Sequence, residues 1–136
     1  MANKHLSSCL CGRVRYEHSG DFQSYVLCHC TKDTGSNHAA NLFAKASILT
    51  WLQGKSHIKT YQHPNSMHVK SFCKKCRAAL PTIAESINSV VAPAGGLDSP
   101  ISIEPTANIF VSSGANWSRN LDSVPNYEEL PTHVKN

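Results

Sequence analysis

Short runs of alternating apolar and polar residues, separated by turn-forming residues, recur along the chain. Because successive side chains of a strand point to opposite faces, such runs predict half-buried β-strands. Seven runs have this alternating or β-branched character: residues 14–17, 25–28, 41–44, 57–61, 67–72, 89–92 and 108–111. The pattern therefore predicts a mainly β fold.

Two segments, residues 45–51 and 81–86, are compatible with helix, but neither sustains a helical period. We therefore expect few helices, all of them short. Turn-forming residues cluster at 64–65, 94–100 and 112–114. No linker, repeat or low-complexity segment interrupts the pattern, so we expect a single domain over residues 1–136. Its core should span about residues 6–128 and be followed by a frayed polar tail.

The composition indicates that hydrophobic burial is not the only stabilising factor. Apolar residues make up 40% of the 136 residues and aromatic residues 7%, which is below the usual apolar share of a globular protein. No apolar run has the length of a signal peptide or a membrane span, so we expect a soluble protein in the cytoplasm, or in the nucleus, without a membrane partner. Disulfides are rare in those compartments, and closely spaced cysteines there are better interpreted as metal ligands or reactive thiols.

The charge pattern gives little support for a polyanionic partner. The net charge of +4 comes from 13 basic residues spread along the chain, and the densest group surrounds a cysteine pair: Lys70, Lys74, Lys75 and Arg77. A nucleic-acid-binding protein is expected to show a basic stripe interleaved with exposed aromatic residues. The linear sequence shows no such stripe, so nucleic acid is not an expected partner.

All six cysteines fall into three close pairs, namely Cys9 and Cys11, Cys28 and Cys30, and Cys73 and Cys76. Residues i and i+2 of an extended strand share a face, so each CxC pair can present two sulfur atoms to one side. The CxxC pair is typical of a turn that directs two thiolates at one ion, as in zinc ribbons. A closed structural zinc site needs four such ligands, whereas a catalytic site keeps three and leaves one position open.

Spacing alone does not decide which two pairs share an ion, and three combinations stay open. A competing interpretation is that some of these residues are small buried apolar side chains, as isolated free cysteines often are. Three close pairs in one short chain favour zinc binding over that interpretation.

Five sequence motifs follow one another in an order that is typical of one protein family. They are CLCGRVRY at residues 9–16, CHC at 28–30 with TGS at 34–36, FCKKC at 72–76, PAGGLD at 93–98, and NIFV at 108–111 with ANW at 115–117. In these motifs the chain resembles the glutathione-dependent formaldehyde-activating enzyme family, which includes centromere protein V. The resemblance implies the Mss4-like zinc-binding β fold of several short antiparallel strands with few short helices.

The resemblance also implies a role for each group of cysteines. The first and last pairs of the family share one structural zinc, which corresponds here to a ligand set of Cys9, Cys11, Cys73 and Cys76. The central motif holds a second, catalytic zinc, which makes Cys28 and Cys30 the expected catalytic residues. The implied activity is that of a zinc-dependent carbon–sulfur lyase that joins glutathione, or a similar thiol, to formaldehyde or another small aldehyde as S-hydroxymethylglutathione or a related adduct.

The chain departs from the family pattern at the second site, because only three residues separate Cys30 from Thr34 and the third cysteine of the family is missing. Counted forward from Cys30, Asp33 takes the place of that cysteine, and a carboxylate can bind zinc. Asp33 is therefore the candidate third ligand of Cys28 and Cys30. The alternative is that Asp33 stabilises a turn next to Thr-Gly, which is the commoner use of such an aspartate.

Two histidines near this pair are weaker candidates. His29 points away from the cysteine side chains if the strand is regular, so we interpret it as a pocket or core residue. His38 is close enough in sequence to approach the site from the next loop.

A second departure is Arg77, which stands where the family has glycine after the CxxC pair. If that position has a positive φ, the substitution costs on the order of 1 kcal/mol. The loss of the third cysteine, and of the Arg-Lys pair that accompanies it in the family, supports a second hypothesis for the function: a zinc-stabilised, non-catalytic binding module with a degenerate second metal site.

Overall fold

The computed structural model of this protein describes residues 3–118 and 120–131. Strands dominate this part of the chain, which confirms the predicted mainly β fold. In chain order they are β1 (Lys4–Ser8), β2 (Arg15–Ser19), β3 (Ser24–Cys28), β4 (Ala39–Lys45), β5 (Leu49–Gln53), β6 (Ile58–Gln62), β7 (Val69–Cys73), β8 (Ala79–Leu80), β9 (Thr82–Ala84), β10 (Ser89–Pro93) and β11 (Ala107–Ile109). Between Cys28 and Ala39 lies one short helix, α1 (Thr31–Thr34), and the remaining helical residues form single 3₁₀ turns.

The strands form three sheets. The first has the order β1-β2-β5, the second β11-β3-β4-β10-β9, and the third β6-β7-β8. Neighbouring strands are antiparallel except for β11, which pairs in parallel with β3. An isolated bridge between Ser7 and Leu97 connects the first sheet to the segment that follows β10.

The hydrophobic core lies on the inner side of the first sheet. Val14, Tyr16 and His18 alternate with more exposed residues along β2 and the residue before it, and all three are fully buried. Tyr16 and Val14 pack in one cluster with Leu80 and with two cysteines, Cys9 and Cys73. The cysteines are thus part of the core that they help to hold together.

A second buried layer is formed by β4 and β10. Leu42 pairs with Ala92 and Ala44 with Val90, and all four side chains are fully buried. Opposed residues of an antiparallel pair lie on the same face of the sheet, so these small and medium side chains cover one continuous apolar face.

Each of the seven predicted strands overlaps an observed strand. The sequence analysis did not predict β1, β5, β8 and β9, and both helical predictions were wrong beyond a single turn. Residues 46–48 form one 3₁₀ turn before β5 begins, and the segment predicted as helix over 81–86 contains β9 and the start of a 3₁₀ turn at Glu85. Pairing with β2 and β10 decides these segments, because local propensity there is weak.

The last described residues contain no strand after β11, only 3₁₀ turns at Val111–Ser113, Asn116–Ser118 and Leu121–Ser123. Most of the predicted frayed tail lies outside the described residues. Among the residues that the structure describes, no helix has the length and hydropathy needed to cross a membrane.

Candidate functional site

Two turns present the first and last cysteine pairs to each other. The first turn follows β1, and in it the Gly12 N–H donates to the Cys9 carbonyl oxygen at 3.1 Å with Gly12 at φ 79°. The predicted pair of cysteines on one face of a strand is therefore corrected: β1 ends at Ser8, and Cys9 and Cys11 lie on this turn. Turn geometry, rather than strand alternation, brings their sulfur atoms together.

The second turn follows β7, whose last residue is Cys73. The Arg77 N–H donates to the Cys73 carbonyl oxygen at 2.9 Å, and the Cys73 N–H donates to the Ala78 carbonyl oxygen at 3.1 Å. Arg77 has φ 66°, which is the left-handed conformation that glycine adopts most easily. The positive φ explains why the motif has glycine at this position. Arg77 adopts the same conformation and carries the associated backbone strain.

The four sulfur atoms form one compact group. One potential ligand atom from each of Cys9, Cys11, Cys73 and Cys76 lies within 4.8 Å of all the others. The Sγ atoms of Cys9 and Cys11 are 3.6 Å apart, and those of Cys11 and Cys73 are 3.8 Å apart. Zinc–sulfur bonds of about 2.3 Å arranged as a tetrahedron require sulfur–sulfur distances of about 3.8 Å. The cluster therefore has the dimensions of a tetrahedral metal site.

Backbone N–H groups stabilise negative charge on three of these sulfurs, and for Cys9 and Cys76 the net pKa shift is downward. Hydrogen bonding by the Ala78 N–H is the main reason why the pKa of the Cys76 thiol is lowered to about 6. Burial, and to a smaller extent the Cys76 thiol, raise the pKa of Cys9. The Val14 N–H, which donates to Cys9 Sγ at 3.3 Å, and the thiols of Cys11 and Cys73 lower it by more, so that the net shift is downward. Such N–H contacts favour thiolates, the form that binds a metal.

The other effect in the cluster is mutual repulsion of the sulfurs. The Arg13 N–H lowers the pKa of Cys11, but desolvation and the three neighbouring sulfurs outweigh it and raise the pKa to about 11. Four thiolates at these distances repel one another, and a divalent cation at their centre removes that repulsion. The donor set thus fits a thiophilic metal ion.

The central cysteine pair lies in a different part of the fold. Cys28 is the last residue of β3 and is half-buried, while Cys30 is buried and immediately precedes α1. Burial, followed by the neighbouring Cys28 thiol, raises the pKa of the Cys30 thiol to about 11. The surroundings of Cys30 therefore favour its neutral thiol in the absence of a cation.

The structure does not bring Asp33 together with Cys28 and Cys30 as a set of three ligands. Among the described residues, the four-cysteine cluster is the one group of three or more potential ligands that lie close enough to share a metal ion. The Asp33 carboxylate instead lies 3.7 Å from Lys70 Nζ and 3.8 Å from His68 Nδ1. Lys70 also donates to the Asp33 carbonyl oxygen.

The alternative role considered for Asp33 was stabilisation of the turn after α1. In the structure the side chain of Thr34 bridges that turn. Thr34 Oγ1 donates to the Ser36 carbonyl oxygen at 3.0 Å and accepts from the Ser36 N–H at 3.1 Å. Asp33 thus forms an ion pair with Lys70 of β7 and lies close to His68, which precedes β7.

Two imidazole rings lie near the central pair. His29 Nε2 is 2.8 Å from Asn108 Oδ1, and because an amide oxygen accepts, Nε2 carries the proton and Nδ1 is left as an acceptor. The ring centroids of His29 and His38 are 5.6 Å apart. His38 Nδ1 accepts from Asn37 Nδ2 at 2.9 Å. No role at this site was predicted for Asn108 or Lys70, because only the pairing of β11 with β3 and the contact of Asp33 with Lys70 reveal one.

Comparison with known proteins places these observations in a family context. The family model described as glutathione-dependent formaldehyde-activating enzyme matches residues 4–113. A crystal structure of a Rhodobacter sphaeroides protein is similar in fold, with a TM-score of 0.60 and 18% sequence identity over 78% of this chain and 99% of that chain. No curated protein shows significant sequence similarity to the chain.

Proposed function

Since this chain belongs to the glutathione-dependent formaldehyde-activating enzyme family, we propose that it is a carbon–sulfur lyase that joins a small thiol to a small aldehyde. Glutathione and formaldehyde are the substrates that the family description names. The observation that carries the proposal is the family match, which spans both the four-cysteine cluster and the central pair. The expected product is S-hydroxymethylglutathione or a related adduct.

We further propose that the four-cysteine cluster holds one zinc ion with a structural role. Four cysteine ligands form a closed tetrahedral site, and such a site leaves no position for substrate. The zinc would supply folding energy by joining the turn after β1 to the turn after β7. The metal of this site would therefore not enter the chemistry.

The chemical step requires a thiolate, a carbonyl group and a proton donor. The sulfur attacks the carbonyl carbon, a carbon–sulfur bond forms, the π electron pair moves to oxygen, and oxygen takes up a proton. In the proposal, Nδ1 of His29 takes the proton of the substrate thiol, because Asn108 holds Nε2 in its protonated form, and the same ring then returns that proton to the oxygen of the adduct. Cys28 and Cys30 would hold a second zinc only with a further ligand, and among the described residues no third ligand lies close enough to share an ion with them.

The proposal can be tested by NMR exchange spectroscopy of zinc-loaded protein with glutathione and formaldehyde. We expect faster exchange between free glutathione and its hydroxymethyl adduct than in the protein-free reaction. The variant with Cys28→Ser and Cys30→Ser should lose the acceleration while it retains the metal of the other cluster. Exchange at the uncatalysed rate with correctly folded, metal-loaded protein would rule the lyase out.

The ion pair of Asp33 with Lys70 supports a second candidate, the zinc-stabilised binding module without catalysis. A carboxylate that is already paired with an ammonium group is a poorer metal ligand than a free one. Metal analysis distinguishes the two candidates, because the module predicts about one zinc per chain and a two-metal enzyme about two. Asp33→Asn should leave the metal content unchanged if the module is correct.

A further inference from the structure

One long stretch of the chain contains no acidic residue. All nine aspartates and glutamates lie at or before Asp33 or at or after Glu85. The stretch between them, residues 34–84, carries seven of the 13 basic residues: Lys45, Lys55, Lys59, Lys70, Lys74, Lys75 and Arg77. This stretch includes the whole third sheet, β6-β7-β8, which is therefore built without a negative side chain.

Strand pairing sorts the side chains of this sheet onto two faces. Lys59 is opposite Phe72, and Tyr61 is opposite Lys70, so these four side chains share one face. The neighbouring residues of β7, Ser71 and Cys73, are buried and point to the other side. Lysines and aromatic residues therefore alternate in both directions across the first face, so that each ring has a lysine directly opposite it.

Arg77 extends the same face. Its guanidinium carbon lies 6.0 Å from the centroid of the Phe72 ring, within the range of a cation–π contact. We define the basic face by these five residues, Lys59, Tyr61, Lys70, Phe72 and Arg77. Tyr61 is 51% exposed, so its ring surface is available to a ligand.

We propose that the basic face binds single-stranded nucleic acid, an activity separate from the lyase reaction. Bases would stack on Tyr61 and Phe72, and phosphates would contact the three cations beside them. Single-stranded nucleic acid is recognised in this way on open sheets, by aromatic platforms surrounded by positive charge. The earlier expectation that nucleic acid is not a partner rested on the linear sequence, in which Lys59 with Tyr61 and Lys70 with Phe72 form two separate short groups. Pairing of β6 with β7 brings the two groups onto one face.

The chemistry of the face favours this ligand over two alternatives. An acidic protein segment would use the cations but would leave the exposed ring of Tyr61 without a matching group. Duplex DNA keeps its bases stacked inside the helix, so it would contact the cations but would leave the exposed ring of Tyr61 without a base to stack on.

Asp33 is the acidic residue that limits the charge of the face. Its carboxylate lies 3.7 Å from Lys70 Nζ and neutralises part of that charge. Binding of a phosphate to Lys70 would compete with this ion pair. Removing the Asp33 carboxylate should therefore strengthen nucleic-acid binding. If Asp33 were only a metal ligand, its removal would not have this effect.

The test measures the fluorescence anisotropy of a labelled decathymidylate with the zinc-loaded full chain between about 50 and about 200 mM salt. With three phosphate contacts, the slope of log K against log salt should be about −2. Lys59→Gln should weaken binding and reduce the slope by about 0.7. Lys45→Gln removes the same charge from β4, outside the basic face, and should change neither quantity. Asp33→Asn should strengthen binding.

Aromatic variants test the stacking part of the proposal. Tyr61→Leu and Phe72→Leu should each weaken binding by about fivefold or more, while the conservative variants Tyr61→Phe and Phe72→Tyr should stay within about twofold of the wild type. Metal content and thermal unfolding report whether each variant is folded. If Phe72→Leu does not fold, Tyr61→Leu still decides the test, because Tyr61 is exposed. The proposal is overturned if the leucine variants bind like the wild type, if hexaglutamate competes as well as the oligonucleotide, or if no binding is seen at about 10⁻⁴ M protein.

Discussion

His18 is fully buried, and neither of its ring nitrogens has a hydrogen-bond partner among the residues that the structure describes. Its ring instead packs among aromatic side chains, with centroids 5.1 Å from Phe22 and 5.7 Å from Tyr16. Burial, followed by the charge of His5, lowers the pKa of His18 to about 4. This residue therefore acts as an apolar core side chain when neutral and opposes folding when it is protonated.

Stability should consequently fall as the pH is lowered. An unfolded histidine binds its proton near pH 6.5, so between about pH 6.5 and about pH 4 the unfolded state binds more protons than the folded state. We expect His18 to account for a loss of about 2 kcal/mol of unfolding free energy between about pH 7 and about pH 5. His18→Phe should remove this part of the pH dependence in urea titrations at the two pH values.

His63→Gln changes an exposed histidine and is the matched control for that experiment. It should retain the full pH dependence of the wild type. An equal loss of stability in the His18→Phe variant between the two pH values would show that protonation of other groups, including the cysteine cluster, explains the effect.

At the scale of elements, the segment that follows β10 holds the first sheet in place. The Asp98 N–H donates to the Leu6 carbonyl oxygen at 2.9 Å, and the Ser8 hydroxyl donates to the Asp98 carboxylate at 2.9 Å. Gly96 lies directly against Tyr16, since a Cβ atom built on Gly96 would be 2.5 Å from the Tyr16 hydroxyl oxygen. The sequence predicted a turn here, but not that its glycine leaves space for a core tyrosine.

Gly96→Ala should therefore destabilise the protein by about 1–3 kcal/mol, because the added methyl group forces the buried Tyr16 ring to move. Chemical denaturation at neutral pH measures the change. Gly95→Ala is the matched control, since a Cβ atom at Gly95 meets no atom within 4 Å. Adding Tyr16→Phe to Gly96→Ala should recover much of the loss; if both glycine variants are equally destabilised, backbone flexibility and not the contact with Tyr16 is responsible.

At the scale of the whole molecule, the four-cysteine cluster links two sheets that do not share a strand pair. Cys9 and Cys11 follow β1 of the first sheet, whereas Cys73 ends β7 of the third sheet and Cys76 lies in the turn after it. Tyr16, Val14 and Leu80 pack around the same cysteines. A metal ion here would connect the two sheets through the centre of the core.

Removal of that metal should destabilise the packing between the first and third sheets. We expect a strong zinc chelator, or Cys9→Ser, to remove about one metal ion per chain and to lower stability by several kcal/mol, seen by calorimetry with metal analysis. The variant with Cys28→Ser and Cys30→Ser is the control and should retain this ion. Loss of the ion from the control, with retention in Cys9→Ser, would contradict the assignment of the structural site.

The outcome of the sequence analysis differs between the two metal sites. Spacing alone left three ways to combine the cysteine pairs, and the family resemblance selected the combination that the structure brings together. The third ligand at the second site depended on counting residues after Cys30, and the structure directs the Asp33 carboxylate to Lys70. The ligand role of Asp33 stays a prediction, because the position of a carboxylate in a short loop depends on the conformation of the loop as well as on its length.

The sequence by itself determined where most strands lie and which residues can bind a thiophilic metal. Alternation and side-chain chemistry are local properties, so seven of the strands and the three cysteine pairs are visible without a fold. Weak local signals explain why β1 and β5 were missed and why residues 49–51, predicted as the end of a helix over 45–51, belong to a strand.

Only the tertiary structure decided which distant residues meet. The parallel pairing of β11 with β3 brings Asn108 to His29, and the contact of α1 with Lys70 pairs Asp33 with a cation. The pairing of β6 with β7 places Tyr61 beside Lys70 and so creates the basic face. These contacts join residues far apart in the chain, and their energies depend on packing and register, which no local pattern of residues records.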